Sequence, residues 1–119
     1  MKIHIRPPMA LLLPIFHLLS MELSGQLFTK VTTGPVVTTP SGSRSCNFLD
    51  FDNDDFQDLL ITNGKAGGED NLLYRNGRDG TFTLMTDTVC RDGSPSDGAT
   101  CADYDNDGFI DVFVSNWYA

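Results

Sequence analysis

The feature that most constrains this chain is a nine-residue stretch, Asp103-Tyr-Asp105-Asn-Asp107-Gly108-Phe109-Ile-Asp111, followed at once by the apolar run Val112-Phe-Val114. Carboxylates stand at loop positions 1, 3, 5 and 9. They repel one another, so the loop gains little by being compact unless a cation joins it. Ca²⁺ takes about 6–8 oxygen ligands at about 2.3–2.6 Å, which alternating carboxylates of a tight loop can supply. The carbonyl of Phe109, at position 7, adds a ligand, and Gly108 permits the sharp turn because a positive φ costs glycine little. An earlier copy reads Asp50-Phe-Asp52-Asn-Asp54-Asp55-Phe56-Gln-Asp58 before Leu59-Leu-Ile61, and Asp103 follows Asp50 by 53 positions. Here Asp55 replaces the glycine. Asp is among the few other residues that enter the left-handed region, so the first loop is expected to form with some strain and to bind more weakly. The candidate metal ligands are thus Asp50, Asp52, Asp54, Phe56 and Asp58 in one loop, and Asp103, Asp105, Asp107, Phe109 and Asp111 in the other.

The N-terminus reads as an export signal. Lys2 and Arg6 precede the apolar run 10–19, and Leu23-Ser-Gly25 offers a small residue for cleavage before Gln26. The run is shorter than the roughly 20 apolar residues of a membrane span, and Pro14 and His17 interrupt it; a buried segment of the fold is the alternative. Residues 1–25 hold Lys2, Arg6 and Glu22, so of 8 basic and 16 acidic residues the remainder keeps six and fifteen, a net charge of −9. Nine of those acids lie in the two loops. A surface of this sign disfavours nucleic acid and anionic lipid. Both histidines, His4 and His17, fall in the leader, which leaves the rest without a histidine-based triad or zinc site. Cys46, Cys90 and Cys101 contain no C-x-x-C pair. One bridge, most simply Cys90–Cys101, is open in an oxidising compartment; the alternative favoured here is that Cys46 and Cys101 are small buried apolar residues beside the loops.

Along the chain, Phe28–Val31 reads as a short strand and 32–45, rich in Thr, Gly, Pro and Ser, as loop. Strands enter and leave the first acidic loop at 46–49 and 59–62. A polar, Gly-rich turn at 63–71 lacks the phosphate-cradle pattern. Leu72–Arg75 and Thr81–Met85 form a hairpin around Asn76-Gly77. The series then restarts: Phe82-Thr83 corresponds to Phe28-Thr29, and Val112–Asn116 to Leu59–Asn63. Arg78-Asp-Gly80 and Arg91-Asp-Gly93 read as turns, and Trp117-Tyr118 as core. The mature part carries no helical periodicity. A period near 53 with about four short strands per unit is that of propeller blades. Consecutive apolar residues after each loop suit strands covered on both faces.

These motifs, with Asn71-Leu-Leu-Tyr-Arg-Asn-Gly77 and Asp79-Gly-Thr-Phe82-Thr, resemble the FG-GAP/VCBS repeats, the integrin-α-like propeller blades of many secreted and cell-surface proteins. The resemblance covers most of 28–116 and implies an all-β fold of four-stranded propeller blades, about one and two-thirds here. It implies an export signal at 1–25, a first repeat at 26–80 and an incomplete second at 81–119. It also implies two Ca²⁺ sites with the ligands above, each between two strands of a blade. Two-thirds of a second repeat leaves strand edges bare, so further blades are expected downstream in the natural protein. An EF-hand is excluded, because position 12 is Ile61 or Val114 where a bidentate Glu and flanking helices are required. The implied role is a secreted or cell-surface calcium-binding module in binding or adhesion, with an extracellular protein or glycan as partner and with no nucleic acid or membrane contact beyond export. The alternatives are the non-catalytic propeller of a larger secreted hydrolase or lyase, and a structural spacer. No activated nucleophile is present beside a base, so the chain itself reads as no enzyme.

Overall fold

The computed structural model describes residues 28–86, 88 and 90–117; the export signal at 1–25 and Tyr118 lie outside them. Six strands and one helical turn follow in order: α1 (Pro35–Thr38), β1 (Ser43–Leu49), β2 (Asp58–Asn63), β3 (Leu72–Asn76), β4 (Phe82–Met85), β5 (Ser96–Ala102) and β6 (Asp111–Asn116). Strands β1 to β4 make one antiparallel sheet in the order β1-β2-β3-β4, and β5-β6 make a second antiparallel pair. This is an all-β arrangement of open propeller blades, as the repeat period requires. The expected strand at Phe28–Val31 does not form. Its repeat counterpart Phe82-Thr83 is a strand because it pairs with β3, whereas Phe28–Val31 precedes the sheet and lies largely in solvent. Strand β4 therefore closes the first sheet although its sequence restarts the repeat, so sheet membership and sequence period are out of phase by one strand.

A further expectation is corrected. The stretch 32–45 is not all loop: Pro35 at the first helical position opens a single turn, and β1 begins at Ser43. The expected hairpin between β3 and β4 is present, its loop shifted by one residue from 76–80. Asn76 pairs with Phe82 across a five-residue loop, closed by Gly77 N–H donating to the Thr81 carbonyl at 2.8 Å. The left-handed positions are Arg78 and Gly80.

The central strands of the first sheet, β2 and β3, are covered on both faces, as the consecutive apolar run in β2 predicts, while β1 leaves one face to solvent. Leu60, Leu73 and Met85 are cross-strand neighbours. With Leu49 they meet Ala99, Cys101 and Val112 of the second sheet, together with Phe51, Cys90 and Ile110. On the opposite face Leu59 faces Tyr74. Tyr74 is fully buried, and its hydroxyl donates to the Pro35 carbonyl at 3.3 Å, so α1 lies over that side. The second pair has only its inner face covered: Val112 turns inward while Phe113 is 70% exposed. All three cysteines are free, and Cys46, expected to be buried, is exposed. Burial pushes the Cys90 and Cys101 thiols up, that of Cys90 also through its proximity to Cys101. Trp117, expected in the core, is 36% exposed.

A polar seam locks the sheets together. Asn71 accepts from Asn63 N–H at 2.9 Å and donates to Ser96 Oγ at 3.0 Å, and Ser96 donates to Asn116 Oδ1 at 2.8 Å. Buried polar groups so linked favour one packing over its alternatives, because each would lose its partner in another arrangement. Beside it, Asp70 accepts from Arg91 Nε at 2.9 Å and from Gly93 N–H at 3.1 Å, which brings the Gly93 carbonyl directly against Gly68. A Cβ on Gly68 would collide with that carbonyl, and its φ of +88° is unfavourable to any side chain; Gly67, at +89°, faces open space. Gly68→Ala is expected to cost about 2–4 kcal/mol, backbone strain plus overpacking. Gly67→Ala, with strain alone, should cost about 1–2 kcal/mol. Urea midpoints of the two variants measure the difference; equal losses would mean that the close approach contributes nothing.

Candidate metal centres

Each acidic loop is a turn built on its own first carboxylate. Asp50 accepts from the amides of Asp54 and Asp55 at 3.0 and 2.8 Å. Asp103 accepts from those of Asp107 and Gly108 at 3.1 and 3.0 Å. The position-5 carboxylates take the next amide: Asp54 Oδ1 from Phe56 at 2.9 Å, Asp107 Oδ1 from Phe109 at 2.8 Å. Phe56 and Phe109 are thereby held in the loop by their backbones while their rings stay exposed. Position 6 has positive φ in both, 68° at Asp55 and 89° at Gly108, as the sequence predicts. Position 4 is left-handed too, at Asn53 (56°) and Asn106 (62°). That was legible in principle, since Asn tolerates this region better than most residues.

Of the ten proposed ligands, three carboxylates per loop converge. Oxygens of Asp50, Asp52 and Asp58 lie within 4.8 Å of one another, and so do those of Asp103, Asp105 and Asp111. Asp54 and Asp107 are not in these groups. Each is engaged by the amide two residues on, and Asp54 is held in addition by Arg78, whose Nη2 lies 2.7 Å from Asp54 Oδ2. That pairing is the first cause of the Asp54 carboxyl lying below its ordinary range.

The two centres differ in how they are supported. Asp58 is fully buried at the head of β2 and accepts from Phe51 N–H at 3.2 Å and from Asn76 N–H, at the end of β3, at 2.7 Å. Burial raises its pKa, and the two amides only partly offset this. Its counterpart Asp111 is half-buried and accepts from Tyr104 N–H at 3.0 Å. The loops also touch: Asn53 Nδ2 donates to the Gly108 carbonyl at 2.9 Å, which sets the two centres on the same end of the stacked sheets. Strain from Asp55 is thus set against firmer support for Asp58, so the backbone alone does not make the first loop the poorer one.

A divalent hard cation fits this donor set. All donors are carboxylate oxygens, the class that Ca²⁺ selects. Asp52 Oδ1 is moreover buried with no hydrogen-bond partner, a cost of about 1–3 kcal/mol that a coordinated ion would remove. The residues that sequence reasoning does not associate with the first loop are its two ion-pair partners, Arg75 and Arg78, which read from sequence only as part of a strand and a turn.

In comparisons with known proteins, the FG-GAP-like repeat family matches residues 50–114, from the first residue of the first acidic loop to the strand after the second. Searches of curated proteins and of solved structures return no significant match.

Proposed function

This chain belongs to the FG-GAP-like repeat family, and on that basis we propose that it is a secreted or cell-surface β-propeller module whose two acidic loops bind Ca²⁺. The metal's role is structural. In each loop it neutralises the clustered carboxylates and ties the strand before the loop to the strand after it. The observation that carries this reading is the convergence of Asp50, Asp52 and Asp58, and of Asp103, Asp105 and Asp111, at equivalent places in two copies. A chance acidic turn has no reason to recur in phase with the same three side chains turned inward. Loops of this kind outside cells bind at about 10⁻⁴–10⁻³ M, so the sites would fill in extracellular fluid. The module would then present its loops and sheet edges to an extracellular protein or glycan in adhesion.

Calorimetric titration of the folded chain with CaCl₂ tests the metal assignment. Two ions are expected, falling to one in Asp52→Asn and to one in Asp105→Asn. A folded chain that takes up no calcium at 10 mM would refute the assignment. Failure to retain any partner from extracellular protein and glycan arrays would refute the adhesive role while leaving the metal assignment intact.

A further inference from the structure

The first acidic loop carries its own positive charge. Arg75 Nη2, on β3, lies 2.6 Å from Asp52 Oδ2 and 3.8 Å from Asp54 Oδ2. Arg78, at the tip of the β3–β4 hairpin, reaches the same Asp54 oxygen with both Nη2 at 2.7 Å and Nε at 3.2 Å. Its guanidinium also sits 4.9 Å from the centre of the Phe56 ring, so two residues of the loop hold one side chain of the hairpin. Among the described residues, no basic side chain pairs with Asp103, Asp105, Asp107 or Asp111. The two loops are alike in sequence and unlike in this.

We propose that Arg75 and Arg78 are built-in competitors for the first centre: they neutralise Asp52 and Asp54 when calcium is scarce, and Arg78 must yield Asp54 for that carboxylate to join the ion. The physical reason is that a guanidinium paired with a carboxylate repels a divalent cation brought to the same carboxylate. This holds whether the ion needs the paired oxygen or, at Asp52, takes the free Oδ1 while Arg75 keeps Oδ2. Of the two first-loop carboxylates outside the converging group, Asp54 and Asp55, Arg78 holds Asp54, the one at a ligand position. Calcium uptake would therefore release the hairpin tip from the loop, while the Asn76–Asp58 hydrogen bond at the hairpin base persists. The first loop becomes the weaker and switchable centre and the second the constitutive one, for a reason other than Asp55. This rests on the calcium reading above and goes beyond it by assigning the two loops different calcium thresholds.

The test uses the whole chain with the second loop silenced by Asp105→Asn, so that calorimetry reads the first loop. Arg78→Ala and Arg75→Ala should each tighten calcium binding about two- to five-fold, the measured range for partly exposed ion pairs. Each should also lower the melting temperature in EDTA, where the ion pair is lost with nothing to replace it. Arg78→Gln, which keeps a hydrogen-bond donor and removes the charge, should tighten binding as well, and guards against an alanine variant that does not fold. Unchanged or weaker calcium binding in the folded arginine variants would overturn the proposal, because it would make the arginines bystanders or positioning groups. So would a silenced chain that binds no calcium with or without its arginines. In the first case the assignment of both loops stands; in the second, an intact chain that still binds calcium leaves it standing for the second loop alone; an intact chain that binds none removes the proposal and the assignment together.

Discussion

Raising calcium from chelator levels to 10 mM is expected to raise the melting temperature by at least about 6 °C. With dissociation constants of about 10⁻⁴–10⁻³ M, that concentration is about 10 to 100 times the constant, which stabilises the folded state by about 1.4–2.7 kcal/mol per occupied site. A domain of this size shifts by about 4–8 °C per kcal/mol, so the stated gain is what one site at the weak end supplies. The physical source is the removal of repulsion among five aspartates in the first loop and four in the second. Magnesium should do less, because it demands a near-ideal octahedron and gives up its water reluctantly. A melting curve unchanged between EDTA and calcium, at fixed pH and ionic strength, would show that neither loop is a cation site.

The second large effect is expected at Asp58, the one wholly buried carboxylate in either loop. Asp58→Ala removes the acceptor for the amides of Phe51 and Asn76, which lie in the loop after β1 and at the end of β3. Two orphaned amides at about 1–3 kcal/mol each predict a loss of about 2–6 kcal/mol by urea unfolding in chelator. Asp111→Ala, with one amide to orphan, should lose about half as much. A loss at Asp58 no larger than at Asp111 would mean that the junction of three strands does not depend on this carboxylate. The pH dependence has a definite sign. The folded pKa of Asp58 is raised above 3.8, so in chelator its contribution to stability is greatest below 3.8 and is lost as pH rises through the raised value. Asp54 runs the other way: its folded pKa is lowered, so its contribution is present above 3.8 and is lost as pH falls through the depressed value. Because the cation needs Asp58 ionised, the calcium-induced gain in melting temperature should be small near pH 4 and grow toward pH 7.

Most of the strands were legible because local pattern and tertiary need agree here. The run Leu59-Leu-Ile61 sits between a carboxylate turn and a polar turn, and a strand covered on both faces is the element that buries Leu59 and Leu60 on opposite sides, with Ile61 half-buried beside them. The positive φ at Asp55 and Gly108 was legible for a similar reason, since a nine-residue loop that returns its ninth carboxylate to its first must turn sharply near the middle. Phe28–Val31 misled because its residues match those of β4, and residue type does not supply a neighbouring strand. Cys46 misled in the same way: its position next to the loop says nothing about which face of β1 is covered. The β3–β4 hairpin was legible to within one residue, and its left-handed turn positions fall at Arg78 and Gly80 inside the expected connection.

The aspartate spacing, the 53-residue period and the apolar runs determined by themselves that this chain builds repeated acidic turns between strands, because those turns and strands close over short stretches of backbone. Only the tertiary structure decided which carboxylates meet. Asp54 and Asp107 belong to the ligand pattern by spacing, yet neither joins the converging three: each is engaged by a local amide, and Asp54 also by an arginine 24 residues further along the chain. Spacing encodes which side chains can converge, and the amides and charges that reach each carboxylate decide which of them do.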